Sequence, residues 1–372
     1  VRKLTILLAV FLTFCASAAK AQYEEIPLRP GLKIWSTSAP AAPDLIDMLS
    51  EYDNPRFAWT NSRRFVSGIK FYQSQLMIPP HPMVESNSYA NLLSRNVFWI
   101  INKRLEKEIA IEVGAIKTHN CHTTFDEINR AADEIVEIAL RVYEAGGMLH
   151  YLDIDTSFGV CGYNYKQAGI ITARWSMLVE SRLNKKLQEM KKINPYLKTV
   201  PVKFRDIEAY PFKPIEEHLA YIDKFNAERA ARDYGPMDAY FLDINHKLVK
   251  DSDLVRDVNT FIYFMHDRNI KVGLIMNGED PKSLLENNDL SYLRSANERL
   301  ARFKELGLLE KIDILMVQSW AARFKEDPTE SDRRDIPANV PEDAITHTNF
   351  LLHTLRCIAG TEDCGIYPAP PK

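Results

Sequence analysis

Residues 149–155 read L-H-Y-L-D-I-D. Side chains along an extended strand alternate between two faces, so Leu152 and Ile154 share one face while Asp153 and Asp155 share the other. In a barrel of parallel strands the first pair would meet a layer of helices and the second would point at the axis. That reading decides the fold only if other segments are built the same way.

Seven others share the apolar, β-branched and aromatic character of buried parallel strands. They are L-K-I-W (32–35), F-V-S-G-I-K-F-Y (65–72), E-I-A-I-E-V (108–113) and V-P-V-K-F-R-D-I-E (200–208). D-A-Y-F-L-D (238–243), K-V-G-L-I-M-N (271–277) and D-I-L-M-V-Q (313–318) complete the set. Between them, residues 125–143, 165–193, 215–232, 252–268 and 282–310 place apolar side chains at helical spacing, and 346–355 makes a last helix. Pro214 and Thr123 or Thr124 supply helix starts. Eight strands, each followed by a helix, predict an α/β fold of the (β/α)8 TIM-barrel type, a single domain. An open doubly wound sheet would usually carry a glycine-rich phosphate turn after an early strand, and the chain has none.

The N-terminus reads differently. Arg2 and Lys3 precede an apolar run from Leu4 to Phe14, and Ala19 and Ala21 fit a small-residue cleavage site before Gln22. Residues 1–21 are therefore predicted to be a signal peptide, leaving 22–372 as the barrel domain with its C-terminal helix and a short tail. The run is too short for the ~20 residues of a spanning helix, so the mature chain is expected to be secreted or periplasmic, without a membrane segment. Its 44 basic and 50 acidic residues give a charge of −6, which offers no footprint for nucleic acid. Beyond Cys15 the cysteines are Cys121, Cys161, Cys357 and Cys364, an even number suited to an oxidising compartment. Cys357 and Cys364 are near enough in sequence to close a short loop, which would leave Cys121 for Cys161. His119 and His122 beside Cys121 raise a zinc site as the competing idea, but there is no C-x-x-C.

Chemistry in such a barrel sits at the carboxyl ends of the strands. Here those ends are polar: Lys70 and Tyr72, Glu112, Asp153 and Asp155, Asp206 and Glu208, then Asp243, Asn245 and His246. Strand 7 runs into Asn277, Gly278 and Glu279, and strand 8 into Gln318, Ser319 and Trp320. Alternation points Lys70, Glu112, Asp153, Asp155 and Asp243 inward. Glu208 shares its phase with Val202 and Phe204, so it reaches the mouth only if the ladder stops near Asp206 or a bulge resets it. Tyr210-Pro211 makes an early stop the expectation. The competing account is an internal salt-bridge network, with Lys70, Lys203 and Arg205 neutralising Asp153, Asp155 and Glu112.

An exported barrel with several mouth carboxylates and nearby aromatics resembles the glycoside hydrolases, over most of the mature chain and through architecture alone. The resemblance implies a carbohydrate substrate, no cofactor, and a pair of carboxyl groups working as acid and as nucleophile or base. Glu208 is expected to be the acid, Asp155 the nucleophile or base, and Asp243 the rival for either role. Glu112 and Asp153 would orient substrate beside Lys70. Trp35, Tyr72, Tyr210 and Trp320 would stack on sugar faces, and Asn245, His246, Asn277 and Gln318 would bond to hydroxyls. L-D-I-D-T-S is similar to the D-x-D-x-E strand of chitinase-like barrels, with Ser157 where their glutamate stands. Asp155 with Glu208 fits amylase-like positions, Asp155 with Glu279 is a poor match to the cellulase-like clan, and Asp155 with Asp243 fits the strand-4 and strand-6 pair of alpha-galactosidase-like barrels. Two alternatives stand beside the hydrolase: a metal-dependent sugar isomerase or lyase using Glu112, Glu208, Asp243 and His246, and a non-catalytic saccharide-binding barrel. A serine triad is disfavoured, since G-x-S-x-G is absent and Ser319 has no evident base in the sequence. Loops 114–124, 156–165 and 319–344 are expected to set specificity.

Overall fold

A computed structural model describes residues 25–40, 42, 44–80, 82–114, 124–155, 164–210, 214–244, 252–277, 289–319, 338–344 and 346–364. The predicted signal segment, Cys121, Cys161, Asn245, His246 and Trp320 lie outside them, as do most of the three loops named above.

Eight parallel strands form a closed barrel in sequence order. They are β1 (Lys33–Thr37), β2 (Val66–Tyr72), β3 (Glu108–Val113), β4 (Tyr151–Asp155), β5 (Lys203–Tyr210), β6 (Ala239–Ile244), β7 (Lys271–Met276) and β8 (Ile314–Gln318). Pairing of Lys33–Thr37 with Ile314–Gln318 closes the ring. Short helices α1 (Leu45–Ser50) and α2 (Thr60–Arg63) follow β1, and α3 (Gln73–Leu76), α4 (Tyr89–Ser94) and α5 (Val97–Lys103) follow β2. The sequence expects a helix after each strand but marks none in these two stretches, whose pieces are too short to show a period. Long helices follow the remaining strands: α6 (Phe125–Glu144), α7 (Tyr165–Ile193), α8 (Ile215–Ala230), α9 (Ser252–Asp267), α10 (Asp289–Glu305) and α11 (His347–Ala359).

Local chemistry explains where the long helices start. Thr124 caps α6 by accepting from the Glu127 amide, while the Glu127 carboxylate accepts from the Thr124 amide. Asn164 caps α7 and Thr346 caps α11 in the same side-chain manner. The face of α6 that meets the barrel carries Ile128, Ala132, Ile135, Ala139 and Val142, all buried.

The core has two shells. Outward residues of the strands, such as Ile111, Leu152, Ile154, Tyr240 and Leu242, pack under the helices. An inner cluster fills the barrel with Trp35, Ala110, Tyr151, Ile207, Phe241, Ile275 and Met316 among others. Two inward glycines make room for its largest rings: a Cβ on Gly68 would lie 2.4 Å from Trp35, and one on Gly273 would lie 2.3 Å from Phe241. Small residues facing large ones give the interdigitation that native packing density needs.

Strand β5 departs from expectation. The ladder does not stop near Asp206; it pairs without a shift from Arg205↔Ala239 to Tyr210↔Ile244. Unbroken phase keeps Ile207 inside. It leaves Phe204, Asp206 and Glu208 on the helix side, with Glu208 opposite Leu242 of the outer shell.

The disulfide between Cys357 and Cys364 joins the end of α11 to the segment after it, as the short spacing suggested. Among the described residues no helix is long and apolar enough to cross a membrane.

Candidate active site

Arg205 forms the floor of the mouth. From β5 its guanidinium reaches Asp153 on β4 with two parallel hydrogen bonds of 2.6 and 2.7 Å. The same group lies 4.1 Å from the ring centres of both Trp35 and Tyr151 and 5.1 Å from that of Phe241. A planar, weakly hydrated cation suits this slot of rings, and its fork matches a carboxylate. Asp153 and Trp35 are thereby fully buried and engaged in the floor, so neither takes the substrate-facing place expected of it. For Asp153 the internal salt-bridge account holds. Lys203, also proposed for that network, instead bonds Asp238 at 3.0 Å at the other end of the barrel.

One pleat above the floor stand the inward groups at the strand ends. Lys70 on β2 donates to Glu112 on β3 and lies 5.3 Å from the Tyr72 ring centre. Burial pushes the Glu112 carboxyl up to about 7; Lys70 opposes this, while the charges of Asp155 and Asp153 add to it. Asp155 is the last residue of β4, inward by the phase of Asp153 and half-buried. Asp243 on β6 shares the phase of inner residues Ala239 and Phe241. Burial raises its carboxyl above the usual range, with Arg299, Lys70 and Asn277 opposing and Asp155 adding. Asn277, just past β7, donates to Asp243 at 3.4 Å, and the Arg299 guanidinium approaches the same oxygen at 3.6 Å. Glu112, Asp155 and Asp243 therefore converge as one electrostatically coupled set, Asp155 being the neighbour that both of the others feel.

Across the mouth the wall is uncharged. Gln318 on β8 donates to the Tyr72 hydroxyl at 2.9 Å. Thr37 pairs with Gln318 and shares the inward phase of Trp35, and its buried hydroxyl has no hydrogen-bond partner among the described residues.

Glu208 is elsewhere. It is buried on the outer face of the barrel, where its charge, with that of Asp206, helps raise the already buried Tyr240 phenol. The Tyr240 hydroxyl meets Nδ1 of His218 from α8 at 2.7 Å, and Tyr221 from α8 donates to Asp206. The expectation that Glu208 lines the pocket fails because β5 keeps its phase. Tyr210 pairs with Ile244 as the last residue of β5.

Two residues escaped the sequence reading. Arg299 lies within a stretch read only as helical, and nothing local marks it as the cation behind Asp243. His347, the first residue of α11, places Nε2 2.8 Å from the Ser36 hydroxyl and Nδ1 2.8 Å from that of Ser319. Ser319 thus has a base beside it after all, but all three residues are buried beneath the helix layer. They tie the β1–β8 seam to α11.

A cavity of about 620 Å³ opens at the opposite, N-terminal end, lined by Lys203, Asp238, His266, Lys271 and Asp313 among others. Its charges pair off: Lys203 and Lys271 both bond Asp238, and His266 bonds Asp313. Burial pushes Asp238 up, but the two lysines outweigh it and hold the carboxyl low. Paired charge at this end of a barrel speaks for stability, and in barrel enzymes of this type the chemistry sits at the other end.

No protein-family model matches the chain, and a comparison with curated proteins gives no match. Among solved structures, an endo-beta1,6-glucanase is similar over 91% of this chain and 81% of its own, with a TM-score of 0.51 at 9% identity. A glucosidase from Croceicoccus marinus covers 90% of this chain and 69% of its own, with a TM-score of 0.45 at 11% identity. A D-psicose 3-epimerase covers 88% and 99%, with a TM-score of 0.46 at 8% identity. What the likeness to the glucanase shows is the shared fold: this chain is a (β/α)8 barrel of the architecture that glycoside hydrolases use.

Proposed function

We propose that the chain is a glycoside hydrolase that works with Asp155 and Asp243 at the C-terminal mouth of the barrel. The supporting observation is the convergence of Glu112, Asp155 and Asp243 from β3, β4 and β6 on one inward space, two of them with raised carboxyls. Glycoside cleavage needs one carboxyl that holds a proton and another that is ionised. Asp243 suits the acid: burial and the Asp155 charge favour its protonated form, and its side chain keeps 31% of its surface open to the mouth. Asp155, between the two raised carboxyls, suits the nucleophile or the base for water. Glu112 is tied to Lys70 and feels the Asp155 charge. Asn277 orients Asp243, and Gln318 and Tyr72 offer hydrogen bonds to sugar hydroxyls. The endo-beta1,6-glucanase with the same architecture is consistent with a polysaccharide substrate.

The metal-dependent isomerase reading loses support, because its ligand set of Glu112, Glu208, Asp243 and His246 is split by the outward face of Glu208. Export to a periplasmic or extracellular space remains part of the proposal, in keeping with the Cys357–Cys364 disulfide.

The test is a reducing-end assay of the purified chain on a panel of α- and β-linked polysaccharides, run beside Asp155→Asn. Release of sugar by the parent chain, lost at least about a hundredfold in the variant, supports the proposal. Binding of saccharides with no turnover on any of them would favour the non-catalytic barrel.

A further inference from the structure

Arg299 lies on the buried face of α10 with Ala296, Leu300 and Phe303. From there its guanidinium reaches the ends of β6 and β7. Nη1 donates to the main-chain carbonyl of Asn277 at 3.1 Å and to its side-chain oxygen. Nη2 donates to the Ile244 carbonyl and stands 3.6 Å from an Asp243 carboxylate oxygen. An arginine carries only donors, so it claims the oxygen of the Asn277 amide and leaves the amide nitrogen for Asp243. That nitrogen donates to the same Asp243 oxygen at 3.4 Å. Asp243 thus meets a donor that Arg299 has oriented and the Arg299 charge itself. Ile244 follows Asp243 on β6, so one guanidinium holds both the backbone beside the acid and the partner of its side chain. A tie between helix and strand ends needs no charge, and an apolar side chain would pack there without the cost of burying one.

Resting on the glycosidase reading with Asp243 as its acid, we propose that Arg299 is the positioning residue of that acid. It fixes the orientation of Asp243 through Asn277 and the end of β6, and its positive charge sets the working pH range of the acid. The other charges that Asp243 feels are Asp155 on β4 and Lys70 on β2, the latter paired with Glu112. Its neighbours across the ladder are uncharged, Ala209 opposite it on β5 and Ile275 inward on β7. Burial raises the carboxyl most, and Arg299 is the strongest influence that lowers it, ahead of Lys70 and Asn277. An acid that holds its proton too firmly protonates a leaving oxygen poorly, so a cation behind it keeps the proton transferable.

The experiment uses the full chain and the polysaccharide that the panel identifies as substrate. Profiles of kcat and kcat/KM against pH are compared for the parent, Arg299→Met, Arg299→Lys and Asp243→Asn, each checked for folding by its Tm. In Arg299→Met the alkaline limb of kcat/KM should move up by about one pH unit or more. Its kcat on the plateau should fall about tenfold or more, with KM within a few-fold of the parent. Arg299→Lys keeps the charge but not the fork, so its limb should stay near the parent position while kcat remains lowered. A residue that only ties α10 to the strand ends would lower Tm and leave the limb in place. An unmoved limb in folded Arg299→Met, with the limb lost in Asp243→Asn, would therefore overturn the proposal and leave the glycosidase reading standing. An equal shift in the lysine variant would overturn the role given to the charge. Failure of both Arg299 variants to fold would mark a structural tie and overturn the proposal too. A limb that persists in Asp243→Asn, or no turnover of any polymer, would overturn the reading and the proposal together.

Discussion

Asp243 stands between a burial that raises its carboxyl and a cation, Arg299, that lowers it, and burial prevails. An acid catalyst works only while it holds its proton, so kcat/KM should fall as pH rises through the raised Asp243 value. That alkaline limb should be missing from the residual activity of Asp243→Asn, and a limb unchanged in position would remove Asp243 from the role. His347 makes a separate prediction about stability. Burial holds its imidazole down at about 4, against 6.5 when unfolded, so the unfolded chain binds more protons between these values. Stability should therefore be full above about pH 6.5 and decline as pH falls toward 4, by about 3 kcal/mol at most from this residue. Denaturant titrations at pH 4.5 and 7.5 should show that His347→Gln flattens the decline; an equal slope in the variant would contradict it. The sequence could not show this residue's role, because Ser36, Ser319 and His347 meet only when α11 folds back on the seam.

At the scale of the element, the strands were legible and one phase was not. All eight apolar runs became strands within a few residues of their expected bounds, because buried parallel strands are marked by composition. The direction of a strand-end side chain depends instead on how far the partner strand continues. Ile244 extends β6 far enough to pair with Tyr210, so β5 stays regular and Glu208 stays outside. Asp155 and Asp243 were readable because apolar neighbours fix the phase, Leu152 and Ile154 before the first and Leu242 and Ile244 around the second. Packing inside the barrel gives two further predictions. Gly68→Ala would set a methyl 2.4 Å from Trp35 and should cost about 1–3 kcal/mol or more, seen as a lowered Tm. Arg205→Met would strand the Asp153 carboxylate in an apolar interior and should cost about 3–5 kcal/mol. Adding Asp153→Leu to it should recover part of that loss, and a double variant no more stable than the single would show that the pair is not the source.

The whole molecule separates structural from chemical charge. Paired ions close the N-terminal end, a forked arginine stacked on rings plugs the middle, and raised carboxyls crown the C-terminal end. The same sequence places two acidic sets on opposite faces of neighbouring strands: Asp155 and Asp243 inward, Asp206 and Glu208 outward. Whether catalysis follows the inward set is the central question. The most direct measurement is the turnover of Asp155→Asn, Asp243→Asn and Glu208→Gln side by side on one substrate, each checked for folding by its Tm. The first two should each lose about a hundredfold or more, while folded Glu208→Gln keeps turnover within a few-fold of the parent. Full activity in the inward variants, or its loss in a folded Glu208→Gln, would contradict the account.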